Sequence, residues 1–217
     1  MTDPALRRFI VITAGLSAGT YAIVAALLAD APPIQADGAT VLAWVRPHRT
    51  VLLVAAYLWG LSVAAILAFL TGVWAKIAQI EGPRPVLATL GLGAGFATFI
   101  LSLVGFASAL ALAWLVDSIG AETAKLLNSL ALLPVALTGI PTALTILPWV
   151  AVARTHAKFP AALSVFSVVV AGLHIVSAGA FADAGLLSPS GVGVLVAPPA
   201  YYVWVVWMGV WCWKTPD

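Results

Sequence analysis

Six long apolar stretches dominate this sequence, and none carries Asp, Glu, Lys or Arg near its middle. They run at about 8–29, 50–75, 85–116, 127–153, 160–182 and 192–213. A hydrocarbon core ~30 Å thick is crossed by roughly 20 helical residues. Inside lipid every backbone N–H and C=O must be satisfied within the protein, which restricts spanning segments to helices and closed barrels. The predicted fold is therefore all-α: residues 1–217 form a single transmembrane domain, a bundle of six helices.

Composition supports this and excludes other classes. The chain is 63% hydrophobic and 8% charged, with a mean hydropathy of +1.09, whereas a soluble domain is roughly 25% charged. Too few polar residues remain to cover a water-facing surface, which argues against a soluble enzyme or a disordered chain. The formal charge of +2 comes without a basic run, so no nucleic-acid partner is expected. The single Cys212 excludes an internal disulfide and a multi-cysteine metal site.

The first span begins like a signal peptide, with Arg7 and Arg8 before it and Ala29-Asp30-Ala31 after it. Its apolar stretch is longer than the ~7–15 residues of a signal h-region, so it is expected to be a retained helix. Lys and Arg then set the orientation. With the N-terminus inside, Arg7, Arg8, Lys76, Arg84, Arg154, Lys158 and Lys214 lie inside, against Arg46, Arg49 and Lys125 outside. Both termini are expected on the cytoplasmic side.

Residues 37–47 place Val41, Trp44 and Val45 at i, i+3, i+4, the spacing of a short helix lying in the interface. Residues 117–126 read as a similar outer connection, 81–85 (EGPRP) as a rigid inner turn, and 183–191 as an outer turn. Small residues mark contact faces between membrane helices. Gly60, Ala64, Ala68 and Gly72 form such a stripe, as do Gly15 with Gly19 and Gly91 with Gly95. They predict packing within the chain, with a homodimer seam as the alternative.

The fourth span holds Pro134, Pro141 and Pro148 every seven residues, with Thr138, Thr142 and Thr145 among them. Each proline removes a donor and frees the carbonyl four residues earlier, favouring a bend. Threonine hydroxyls can satisfy such carbonyls. The bent helix either wraps the bundle or lines a cavity. In the sixth span Trp204, Trp207 and Trp211 form one stripe, with Tyr201 a turn further out. That aromatic face either packs in the core or meets a lipid tail or flat molecule.

His174 is the one ionisable residue near the centre of a span, and intramembrane ionisable groups are functional candidates by default. Ser167, Ala171, His174 and Ala178 share a face, and Ser177 lies within reach of the ring. The readings are a proton relay, a cofactor ligand, a contact to a bound molecule, or a neutral imidazole bonded to a neighbouring helix. A two-histidine haem lacks a second deep His, and no HExxH occurs. Gly15-Leu16-Ser17-Ala18-Gly19 spells G-x-S-x-G but lies inside a span rather than on a strand–helix elbow. Ser17 with His174 is the one conceivable protease pair. Arg46-Pro47-His48-Arg49 either grips an anionic headgroup or snorkels to set helix depth.

The second span through Lys76, and the turn FADAGLLSPSG (181–191) ahead of a Trp-rich last span, resemble a group of uncharacterised six-span bacterial, mostly actinobacterial, membrane proteins classed as domains of unknown function. The resemblance covers most of the chain. It implies a fold and a place in the cytoplasmic membrane, and brings no catalytic residues.

The sequence thus reads as a non-enzymatic membrane protein that holds a lipophilic ligand or serves as a subunit of a complex. The site would be a cavity between Pro141, Thr138 and Thr142 of the bent helix, the His174 face, and a wall of Tyr201, Trp204 and Trp207. No cofactor is identified. Membrane lipid and a lipophilic small molecule are the expected partners, with a protein partner or second copy beside them. A small carrier for an apolar or weakly polar solute is the alternative, and an intramembrane enzyme the third reading.

Overall fold

The computed structural model describes residues 4–156, 159–179 and 192–215. It contains α1 (Pro4–Leu27), α2 (Gly38–Glu81), α3 (Val86–Leu115), α4 (Ala121–Leu137), α5 (Gly139–Ala153), α6 (Ala161–Ala178) and α7 (Val192–Lys214), with no strand among the described residues. Six segments are long and apolar enough to cross a membrane, α4 and α5 together making the fourth. The predicted 183–191 turn and the 181–191 segment of the resemblance lie outside the described residues.

Burial is inverted relative to a soluble protein. Ile12, Val86, Ile100 and Val165 are each more than 60% exposed, whereas Ser17, Ser62, Ser167 and Thr145 are essentially inaccessible. Lipid is a good solvent for the first group and a poor one for the second, so polar side chains turn inward to find partners.

The spans form an up-and-down ring. Contacts join α1 to α2, α2 to α3, α3 to α5, α5 to α6, α6 to α7, and α7 back to α1. One end of the ring, here the terminal end, holds the start of α1 and the end of α7. It is filled by a cluster including Phe69, Leu70, Ile146, Trp149, Trp204 and Met208. A second cluster at the opposite, distal end joins Val41, Val45 and Leu52 of α2, Ala109 and Leu112 of α3, and Ala124 and Ala131 of α4.

Residues 38–47 form a short helix, as their spacing predicts, and α2 is this helix and the second span meeting at a kink; its Val41 and Val45 are buried in the distal cluster. Asp37 caps this helix by accepting from Thr40 N at 2.7 Å, and that backbone hydrogen bond holds its carboxyl below the usual range. The short helix ends in the kink after Pro47, where His48 leaves helical geometry (φ −102°, ψ 15°). The imidazole Nδ1 of His48 donates to Trp44 O at 2.8 Å, supplying a side-chain donor to the disturbed turn. Arg49 pairs at the surface with Asp117 (3.6 Å) and lies over the face of Trp114 (5.4 Å). The basic cluster is thus partly engaged within the chain. Residues 121–126, read as connection, are already the start of α4.

The small-residue stripes separate into two kinds. Cβ atoms at Gly72, Gly91, Gly95, Gly105 and Gly139 would collide with Ile10, Trp149, Leu70, Ala131 O and His174 O respectively. These are helix contacts within the chain. Gly15 and Gly19 have open space around them, and Ala64 is exposed, so the four-residue stripe on α2 is not one continuous seam. Lys76, buried in α2, donates from Nζ to Thr215 O at 3.1 Å and ties α2 to the end of α7.

The EGPRP turn is built by its acid. Gly82 closes α2 at φ 99°, a conformation that favours glycine. The Glu81 carboxylate reaches across the turn to accept from Leu87 N (2.8 Å) and Ala88 N (2.7 Å). It satisfies two otherwise orphaned donors in the first turn of α3. Glu81→Ala should cost about 1–2 kcal/mol, read as a lower thermal midpoint in detergent. Unchanged stability would show that water caps α3 equally well.

Candidate functional site: a cavity inside the helix ring

The fourth span is locally distorted at Thr138, three residues before Pro141, although its backbone stays helical there (φ −66°, ψ −12°) and Thr138 N and Thr142 N keep bonds to Pro134 O and Thr138 O. Pro141 has no N–H for the Leu137 carbonyl and its ring crowds that oxygen, which explains a distortion here. Pro134 and Pro148 lie within α4 and α5 and interrupt neither. Beyond the distortion α4 packs mainly on α3 and the start of α2, while α5 stays in the ring between α3 and α6. The threonines play a different part from the one expected. Thr145 Oγ1 donates to Pro141 O (3.0 Å), and Thr142 Oγ1 meets Thr98 Oγ1 of α3 (3.4 Å). Neither of these contacts is to a carbonyl that a proline frees.

A cavity of about 320 Å³ occupies the ring between the two clusters. All six ring helices contribute: Tyr21 and Val24 from α1, Trp59 and Ser62 from α2, Thr98, Phe99 and Ser102 from α3, Thr142 from α5 with the junction residue Thr138, His174 and Ser177 from α6, and Tyr201 and Tyr202 from α7. Among the described residues no α4 side chain lines it. Its size lies within the ~300–1,000 Å³ of small-molecule sites.

His174 sits at the closest approach of α5 and α6. Gly139 has no side chain, which lets the His174 carbonyl lie against the α5 backbone. The imidazole is 95% buried (5% exposed) and its Nδ1 contacts Val170 O at 2.9 Å. A carbonyl only accepts, so the proton of that bond sits on Nδ1. Ser177 does not bond the ring; its hydroxyl donates to His174 O at 2.8 Å. Tyr201 stands edge-on to the imidazole, 5.6 Å between centroids.

Most hydroxyl protons in the wall are already used. Ser62 Oγ donates to Ser17 O (3.0 Å), so in its 3.0 Å contact with Tyr202 the phenol donates. Tyr202 also stacks on Tyr21 at 4.0 Å, joining α1 to α7. Thr98 Oγ1 donates to Ala94 O, which leaves Thr142 as donor in the Thr98 contact. Ser102 Oγ donates to Thr98 O (2.9 Å). These contacts tie α1, α2 and α7 together and α3 to α5, and leave the hydroxyls mainly lone pairs to offer.

Of the residues singled out in the sequence, His174, Tyr201, Thr138 and Thr142 line this cavity. Trp204 does not. It is fully buried in the terminal cluster, its Nε1 donating to Ser167 Oγ at 2.9 Å. Trp207 borders a separate recess of about 270 Å³ at the terminal end, with Trp211 and Lys214. Pro141 shapes the distortion without lining the cavity. The wall expected of Trp204 and Trp207 is instead made by Tyr201, Tyr202, Tyr21 and Trp59. Sequence reasoning missed Tyr21, Trp59, Ser62 and Tyr202, although a phenol or serine within an apolar span is itself a signal that a partner must be found. Ser17 Oγ donates to Ala14 O (3.0 Å) and does not pair with His174. No protein-family model, curated protein sequence or solved structure matches this chain.

Proposed function

We propose that this is a multi-pass protein of a bacterial cytoplasmic membrane, both termini cytoplasmic, that binds a lipophilic molecule inside its helix ring. The cavity carries the reading: an apolar chamber reached by all six ring helices, with His174 and Tyr201 at its wall. Buried polar groups beside an empty apolar volume are the arrangement that orients a small molecule. The asymmetry of Lys and Arg supports the orientation, and the proposed kinship is with the uncharacterised six-span proteins. Native mass spectrometry with an absorption spectrum, on protein in mild detergent, tests the reading. One retained lipophile per chain is expected. A bare chain that also takes up no added lipophile would overturn it.

The proline-distorted fourth span beside the cavity favours a second reading, a small carrier, because a kinked helix can act as a hinge between two arrangements. A carrier accelerates solute flux across liposomes, whereas a binder retains its ligand.

A further inference from the structure

The hydrogen-bonding state of the cavity wall narrows the ligand class, and this inference rests on the binding reading above. We infer that the molecule held against His174 carries a hydroxyl group, as a lipophilic alcohol or phenol, and donates its proton to Nε2.

The argument starts from the imidazole. Its Nδ1 proton is committed to Val170 O. Among the described residues no carboxylate lines the cavity to balance an imidazolium, and an uncompensated charge in an apolar chamber is costly. The ring is therefore neutral, and Nε2 is an acceptor. Among the described residues Nε2 has no hydrogen-bond partner. Ser177, the nearest hydroxyl in sequence, spends its proton on His174 O. The protons of Ser62, Thr142 and Tyr202 are likewise committed. Among the described residues no side chain thus donates a proton to Nε2.

Tyr201 complements it. Its ring stands beside the imidazole and stacks on Trp204 at 5.7 Å. Its hydroxyl has no hydrogen bond among the described residues, which leaves a donor available at the same wall. A ligand hydroxyl satisfies both groups, donating to His174 Nε2 and accepting from Tyr201. An ether, ester, aldehyde or quinone carbonyl accepts only and leaves Nε2 unpaired. A carboxylate also only accepts, and adds an unbalanced charge.

The test compares the isoprenoid alcohol farnesol with its methyl ether as competitors of tritiated farnesol, on the full chain in lipid nanodiscs. Wild-type protein should prefer the alcohol by about tenfold, because the ether strands a buried acceptor. His174→Phe should collapse this preference while leaving the potency of the ether unchanged, which also reports that the variant is folded. Tyr201→Phe should weaken alcohol and ether alike and preserve their ratio. Equal potency on wild-type protein would overturn the hydroxyl assignment and leave the binding reading standing. A preference that survives His174→Phe, or that vanishes in Tyr201→Phe instead, would overturn the role of Nε2. No binding of either probe would overturn the hydroxyl assignment, and with a bare chain in the mass spectrum the binding reading as well.

Discussion

Gly139→Val should sharply destabilise the protein and empty the cavity of any retained lipophile. A side chain at Gly139 begins with a Cβ that would overlap the His174 carbonyl oxygen and lie 3.0 Å from Ala178 Cβ. The obstacle is backbone, which cannot rotate aside, so α6 must move bodily away from α5 and carry His174 and Ser177 with it. Overpacking of a tight contact costs about 1–3 kcal/mol, occasionally more, and this position belongs at the upper end. Thermal unfolding in detergent measures the loss, and native mass spectrometry reads the occupant. Gly93→Ala is the control, since nothing lies within 4 Å of the added methyl. Equal midpoints for the two variants would show that α5 and α6 are not held this close.

Trp204→Ala should be comparably damaging, at about 3–5 kcal/mol, and Trp207→Ala much less so. Trp204 is fully buried, meets Phe69 edge-on at 6.4 Å, and anchors its indole N–H on Ser167. Removing it opens a void in the terminal cluster, where dispersion contacts rather than water exclusion hold membrane helices together. It also withdraws the ring on which Tyr201 stacks, so the cavity wall loosens even though Trp204 does not line it. Trp207 is only partly buried, at the edge of the bundle against Phe166. The comparison is made on midpoints under one detergent. A larger loss at Trp207 would contradict the packing described for α7.

These two tryptophans show what the sequence could convey. Their spacing of three residues correctly implied a shared side of one helix, but periodicity reports the face and not the depth. The ring is filled at the terminal end and hollow further along, so Tyr201, one turn away, borders the cavity while Trp204 is packed. His174 was legible because a lone imidazole in an apolar span has few uses. The bend at Pro141 was legible because proline removes a backbone donor wherever it falls. The short helix over 38–47 was legible from its spacing, but the burial of its Val41 and Val45 against α3 and α4 was not, because those contacts are distant in sequence. Glu81 was hidden for a similar reason: it caps a helix six residues further along, and only the turn between them makes that contact local.

The two apolar clusters have a consequence for how this chain holds together. Among the described residues only α2 and α3 contribute buried residues to both. The remaining ring helices belong to the terminal cluster, and α4 to the distal one. The two clusters are joined by α2 and α3, and the cavity lies between them, lined by residues of all six ring helices. A molecule bound there would touch every ring helix at once. It would act as a keystone, coupling the two clusters.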